Sequence, residues 1–179
     1  MPNDQSVLSN INVKEYGSNY RGHFFEQYKI LVESADRISK QRLQAHAFFI
    51  TINSGLLALI AGLYKVGVQS LAGAVWLITL SIVGGLLCYI WRRLILSHKK
   101  LNSIKFEIIN SIENYLPLRM YSLEWKRIEE AIGTSSYKPF SDVEIHIPVI
   151  YAIVYIVTVL AMLVQLNISV NLFSQFVFY

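Results

Sequence analysis

Three stretches of this chain contain no Asp, Glu, Lys, Arg or His: residues 47–64, 66–91 and 147–179. A helix rises about 1.5 Å per residue, so about 20 residues cover the roughly 30 Å hydrocarbon core of a bilayer. Each run is therefore long enough to cross a membrane, which constrains the chain more than any other feature of its sequence. Composition agrees: 54% of residues are hydrophobic, 16% are charged and the mean hydropathy is +0.41, a balance that domains folded in water do not carry. Collagen-like and disulfide-rich classes are excluded, the latter because the single cysteine, Cys88, has no internal partner and lies inside an apolar run.

The first run is the shortest and holds Thr51, Asn53 and Ser54, whereas 71–91 and 148–166 are more strongly apolar. The first two runs form a hairpin across a turn at 65–70, where Gly67 permits a tight reversal. Orientation follows from the basic residues, which cytoplasmic flanks retain. Of the 16 Lys and Arg, six precede the first span, nine lie between the second and third, and only Lys65 lies in the hairpin turn. The N-terminus and residues 92–146 are thus expected in the cytoplasm, with the turn and the C-terminus on the other side. All 12 acidic residues share the side of the 15 basic ones, leaving a net charge of about +3 with no single-sign field, which argues against nucleic acid as a partner. The first 23 residues are polar, so no cleavable signal is expected and the first span acts as its own insertion signal.

Residues 1–18 are rich in Asn, Ser, Asp and Gly without helical periodicity and read as a flexible arm. From Phe24 the pattern changes. Phe24, Tyr28, Leu31, Ala35, Ile38, Arg42, Ala45 and Phe49 recur at alternating spacings of four and three, which sets them on one stripe of a helix running straight into the first span. Phe24, Tyr28, Leu31, Ala35 and Ile38 form a candidate seam, either between subunits or against other cytoplasmic helices of the same subunit. Glu33 with Arg37 and Asp36 with Lys40 add opposite charges four apart, each pair worth about 0.2–0.5 kcal/mol. Beyond Trp91, the residues Leu94, Leu101, Ile104, Ile108, Ile112 and Tyr115 keep helical spacing until Pro117 stops the run. A shorter helix is expected over 123–132, capped by Ser122 and Gly133. An extended return at 137–141 then leads to the third span, whose first turn suits Pro148.

Hydrolase, transferase and phosphate-loop signatures are absent and no Cys or His pair stands at metal-ligand spacing, so no enzyme activity, cofactor or metal is expected. Cys88 reads as an inert small hydrophobe. His46, His98 and His146 come near the cytoplasmic ends of the spans. Histidine titrates at about pH 6.5, so three at one depth would couple an assembly to cytoplasmic pH, and with Glu144 they would approach a metal set. The plainer reading makes each an interfacial side chain with its own hydrogen bond. No charged residue lies within a span, which argues against a proton-coupled pump or a charged-substrate transporter. Thr51, Asn53 and Ser54 either line water in an oligomer or hydrogen-bond between helices, and the second role is the commoner. Ala58 with Gly62 and Ser81 with Gly85 are small residues four apart that offer close helix contacts. Arg92, Arg93, Lys99 and Lys100 follow Trp91 at the interface and are placed to hold anionic lipid headgroups, although topology alone also explains them.

The stretch from Tyr28-Lys29 through Ser39 and Arg42, then Phe48-Phe49 and Ile52-Asn53, resembles the RipA family of octameric bacterial inner-membrane proteins. Trp91-Arg92-Arg93-Leu94-Ile95, Leu101 through Phe106, and Tyr137 through Ser141 continuing past Glu144 to Pro148 carry the same resemblance, which covers about residues 24–165. It implies a homo-octamer in the cytoplasmic membrane with a role in envelope maintenance and in adaptation to growth inside a host, and it implies no catalytic residues.

The expected molecule is an all-α integral membrane protein with three transmembrane helices (47–64, 71–91 and 147–166) and long helical cytoplasmic extensions (19–46 and 92–146), ending in a non-cytoplasmic aromatic tail at 167–179. Its expected role is a non-enzymatic homo-oligomeric scaffold or adaptor, in contact with itself and with membrane lipids. The alternative is an oligomeric channel lined by the first span.

Overall fold

A computed structural model describes residues 13–65, 71–134 and 143–177. Among these residues the chain is all α-helical, with no strand. Helices α1 (Val13–Tyr16), α2 (Tyr20–Lys65), α3 (Leu71–Glu113), α4 (Met120–Thr134) and α5 (Ile147–Val177) follow one another along the chain. Of the expected turn at 65–70, Lys65 ends α2 and residues 66–70 lie outside the described residues, as do the extended return at 137–141, residues 1–12 of the arm and residues 178–179. Three helices, α2, α3 and the 147–167 part of α5, are long and apolar enough to cross a membrane. With 46 and 43 residues, α2 and α3 measure roughly 69 and 65 Å at about 1.5 Å per residue. That is more than twice a bilayer core, so neither lies wholly in lipid.

Several boundaries differ from the sequence reading. Residues 13–16 form a helical turn, held where the Tyr16 hydroxyl meets His23 Nδ1 at 2.8 Å and the Tyr16 ring stands edge-on to Tyr20. Gly17 separates α1 from α2 at φ 89°, a left-handed conformation that glycine adopts without strain. Helix α5 runs on to Val177 because no Pro or Gly interrupts 167–177. Helix α4 starts at Met120 instead of 123, so Ser122 is a first-turn residue and not its cap. The cap comes from the end of α3, where Glu113 accepts the N–H groups of Tyr121 and Ser122.

The helices divide into two compact units, Met1–Gln41 with His98–Lys138 and Arg42–Ser97 with Pro139–Tyr179. In the first, Tyr28, Ala35 and Ile109 are buried together, with Leu31, Val32, Phe106, Ile112, Leu116 and Tyr121 packed around them. Of the candidate seam, Tyr28, Leu31 and Ala35 thus pack with residues of α3 and α4 of the same chain. Of the two helix-surface ion pairs, Lys40 closes on Asp36 at 2.7 Å, but both groups are well exposed and add little. In the second unit, Ala74, Leu77, Ser81, Gly84, Cys88, Trp91 and Ile95 form the buried edge of α3. Their spacings of three and four meet Phe49 and Ile60 of α2 and Tyr151, Tyr155 and Met162 of α5.

Candidate functional site

Apolar helices in lipid gain nothing from the hydrophobic effect by touching one another, so small residues and polar side chains fix their contacts. The second unit is built this way. Asn53, fully buried on α2, donates its Nδ2–H to the Phe49 carbonyl at 2.8 Å and presents Oδ1 to two donors from other helices. The Tyr155 hydroxyl of α5 donates to that Oδ1 at 3.1 Å and to the Asn53 carbonyl at 3.2 Å, and the Cys88 thiol of α3 donates to it at 3.4 Å. One side chain therefore joins three helices. One residue later, Ser54 and Tyr151 share a hydrogen bond at 2.7 Å. The Tyr155 ring lies flat against Gly84, where any Cβ would overlap it. Ser81 bonds back to the Leu77 carbonyl, and a Cβ on Gly62 or Gly85 would meet open space, so of these three glycines Gly84 is the one at a close approach.

A second buried polar group closes the same unit at the ends of its apolar runs. Glu144, only 1% exposed, pairs with Arg42 Nε at 3.6 Å, longer than a hydrogen bond. One turn along α2 from Arg42, the buried ring of His46 lies 5.1 Å from that of Trp91. Trp91 is completely enclosed, stacked on Phe49 at 5.7 Å and tilted against Tyr151 at 6.0 Å. Arg42 Nε, His46 Nδ1, Trp91 Nε1 and Glu144 Oε2 are buried without a hydrogen-bond partner among the described residues. Buried ions this close are held by their mutual attraction, and removing one would leave an uncompensated charge.

The first unit has its own buried carboxylate. Glu113, at the end of α3, accepts the Tyr121 N–H at 2.8 Å on Oε1, and on Oε2 the Ser122 N–H at 3.0 Å and the Ser122 hydroxyl at 2.9 Å. These are N-terminal donors of α4, so a residue of the preceding helix supplies the cap. The Tyr28 hydroxyl donates to Oε1 at 3.3 Å from α2. Burial pushes the Glu113 carboxyl up, but the hydrogen bonds from Ser122, Tyr121 and Tyr28 outweigh it and hold the group below the ordinary 4.5. Burial and the negative charge of Glu113 push the Tyr28 phenol up to about 12.

The sequence candidates fall as follows. Asn53 is at the centre of the span contacts, Ser54 is exposed but bonded to Tyr151, and Thr51 is exposed with its hydroxyl turned back to the Ala47 carbonyl at 2.9 Å. His46 is buried, His146 is exposed and His98 is half-buried with a buried Nδ1 that has no hydrogen-bond partner among the described residues. No three His, Cys, Asp or Glu among the described residues come together as a metal site. Arg92, Arg93 and Lys100 are exposed and Lys99 is half-buried. Tyr28, Ala35 and Ile38 are buried and Phe24 and Leu31 are half-buried within the one chain. Sequence reasoning missed Tyr155, Gly84 and Glu113. Tyr155 is one of three tyrosines in the third run, a faint signal, and nothing local marks Glu113.

Compared with known proteins, the chain matches the model of the Octameric membrane protein family (8xMP) over residues 25–164. Neither the curated proteins nor the solved structures yield a match.

Proposed function

We propose a function from the premise that this chain belongs to the octameric membrane protein family (8xMP): it is a non-enzymatic, homo-octameric scaffold or adaptor of a bacterial cytoplasmic membrane. In this reading the N-terminus and residues 92–146 face the cytoplasm and the C-terminus faces the periplasm, because 15 of 16 basic residues flank the spans on one side. The narrower likeness to the RipA family extends the proposal to envelope maintenance and to growth within host cells. Arg92, Arg93, Lys99 and Lys100 then lie beside the cytoplasmic headgroups, where each basic side chain contributes about 1 kcal/mol toward anionic lipid.

One observation carries the scaffold reading over a pore lined by the first span. Asn53 and Ser54 direct their polar atoms to Cys88, Tyr151 and Tyr155 inside a single subunit, and Thr51 bonds its own backbone. A pore would need such groups turned toward a shared axis. The test combines native mass measurement of the purified protein with ion flux from liposomes. An octamer without flux supports a scaffold, whereas flux that is lost on Thr51→Val with Ser54→Ala replaces it with a channel.

A further inference from the structure

The first unit leaves two apolar faces uncovered. On α3, Leu101, Ile104 and Ile108 are 46%, 44% and 38% exposed, and their spacing of three and four places them on one stripe. The stripe points away from Ile109, Phe106 and Glu113, which face the core that α2 and α4 cover. The second face, Leu118, Met120 and Leu123, is 55–63% exposed. On α4, Met120 and Leu123 lie to one side of Tyr121, which packs against Phe106. The two faces therefore lie on different elements, one on α3 and the other at the start of α4. Among the described residues Phe25, Ile30 and Trp125 are exposed as well, but they are interleaved with charge: Glu26, Lys29 and Glu33 flank the first two on α2, with the Lys29 ammonium over the Phe25 ring at 4.9 Å, and Glu124, Lys126 and Arg127 flank Trp125 on α4.

Lipid cannot cover the α3 stripe, since Lys99, Lys100, Lys105 and Glu107 interleave with it in sequence and a hydrocarbon core does not accept them. A second copy of the chain can. Copies inserted with one orientation in one membrane are related only by rotation about the membrane normal. Such cyclic assemblies are closed by a heterologous contact, in which two unlike faces of neighbouring subunits meet. An octameric family therefore asks this chain for two different sticky faces, and the first unit supplies two.

We propose that the octamer is a ring in which the Leu101–Ile104–Ile108 stripe of one subunit packs on the Leu118–Met120–Leu123 face of the next. This rests on the octameric membrane reading above and adds to it the contact and its polarity. Because both faces are solvent-exposed within the subunit, charged substitutions there leave the subunit fold intact while placing charge in the contact.

The experiment uses the full chain in detergent. The unsubstituted protein is weighed first by native mass spectrometry; a mass other than the octamer removes the oligomeric reading and this proposal with it. Given an octamer, Ile104→Lys and Leu123→Glu are each expected to abolish it and leave smaller species with unchanged helix content. An octamer that persists in either variant overturns the proposal. A second arm avoids charge altogether. In a Cys88→Ser background, differently tagged chains carrying Ile104→Cys or Leu123→Cys are co-expressed and oxidised in the membrane. Disulfides are expected only between unlike chains. Linkage between two Ile104→Cys chains, or no linkage in intact octamers, overturns the heterologous contact.

Discussion

Glu113 receives both the backbone N–H and the hydroxyl of Ser122 on one carboxylate oxygen, at 3.0 and 2.9 Å. The relationship fastens the first turn of α4 to the end of α3 across the loop that Pro117 interrupts. Replacing Glu113 with Ala leaves the Tyr121 and Ser122 donors of a buried helix end without an acceptor. We expect a loss of about 1–3 kcal/mol, read as a lower midpoint in thermal or denaturant unfolding of the purified protein, with Glu113→Gln losing less than Ala.

The same group predicts a pH response. Its folded-state pKa lies below the ordinary 4.5, so the stability it contributes is present above that value and is lost as pH falls through the lower folded value. The unfolding midpoint of the unsubstituted protein should drop on acidification below about pH 4.5, and Glu113→Gln should flatten that drop. Tyr28 acts at the other extreme. Its phenol is raised from 10.0 to about 12, so its contribution holds below pH 10 and is lost between about pH 10 and about pH 12. Tyr28→Phe should remove this alkaline component and weaken the acid one, because its hydroxyl is one of the donors that hold Glu113 low.

Within the spans, Tyr155→Phe removes the hydroxyl that reaches Asn53 and should cost about 1 kcal/mol, the scale of hydrogen bonds between membrane helices. Asn53→Leu should cost more than Tyr155→Phe, because it removes the side chain that reaches both other helices: the Cys88 thiol loses its acceptor and Tyr155 keeps only the backbone carbonyl of residue 53. Unfolding in mixed detergent measures both. Equal midpoints for the two variants would mean that Asn53 does not join the three helices.

Gly84→Ala drives a methyl group into the Tyr155 ring and should destabilise by about 1–3 kcal/mol, whereas Gly85→Ala meets open space and should be close to neutral. Comparing the two neighbours in one unfolding assay separates close packing from the helix propensity that both changes share.

Topology is tested by single cysteines in the Cys88→Ser background. Gln27→Cys and Glu129→Cys should resist a membrane-impermeant thiol reagent applied to intact spheroplasts, and Lys65→Cys should react. Labelling of Glu129→Cys without lysis would reverse the assigned orientation.

The long helices and the apolar runs were legible in the sequence because charge and hydropathy mark them directly. The stripe from Phe24 to Phe49 was legible as a stripe, but period alone cannot say whether a neighbouring helix of the same chain or another chain covers it. The buried edge of α3 was harder to see. Every position from Ala74 to Ile90 is small, apolar or weakly polar, so the usual contrast between a wet and a dry face is missing. What distinguishes Ser81, Gly84 and Cys88 is their size and weak polarity at spacings of three and four, a fainter signal. Glu113 was illegible for another reason. Its partners are a helix start eight and nine residues ahead and a phenol 85 residues behind, and nothing local records such a meeting.

The bond between Asn53 and Tyr155 also sets a schedule for biogenesis. The two residues are 102 positions apart, whereas Cys88 follows Asn53 by 35. A ribosome adding about 5–20 residues per second takes roughly 5–20 s to travel from Asn53 to Tyr155. For that interval the hairpin of the first two spans must hold Asn53 with only the thiol of Cys88, a weak donor, as its partner from another helix. The nascent hairpin is thus an intermediate with a polar side chain only partly satisfied in the bilayer, and the arrival of the third span completes it. Chains that end before Tyr155 keep that contact unfinished, with Asn53 Oδ1 bonded across helices to Cys88 alone.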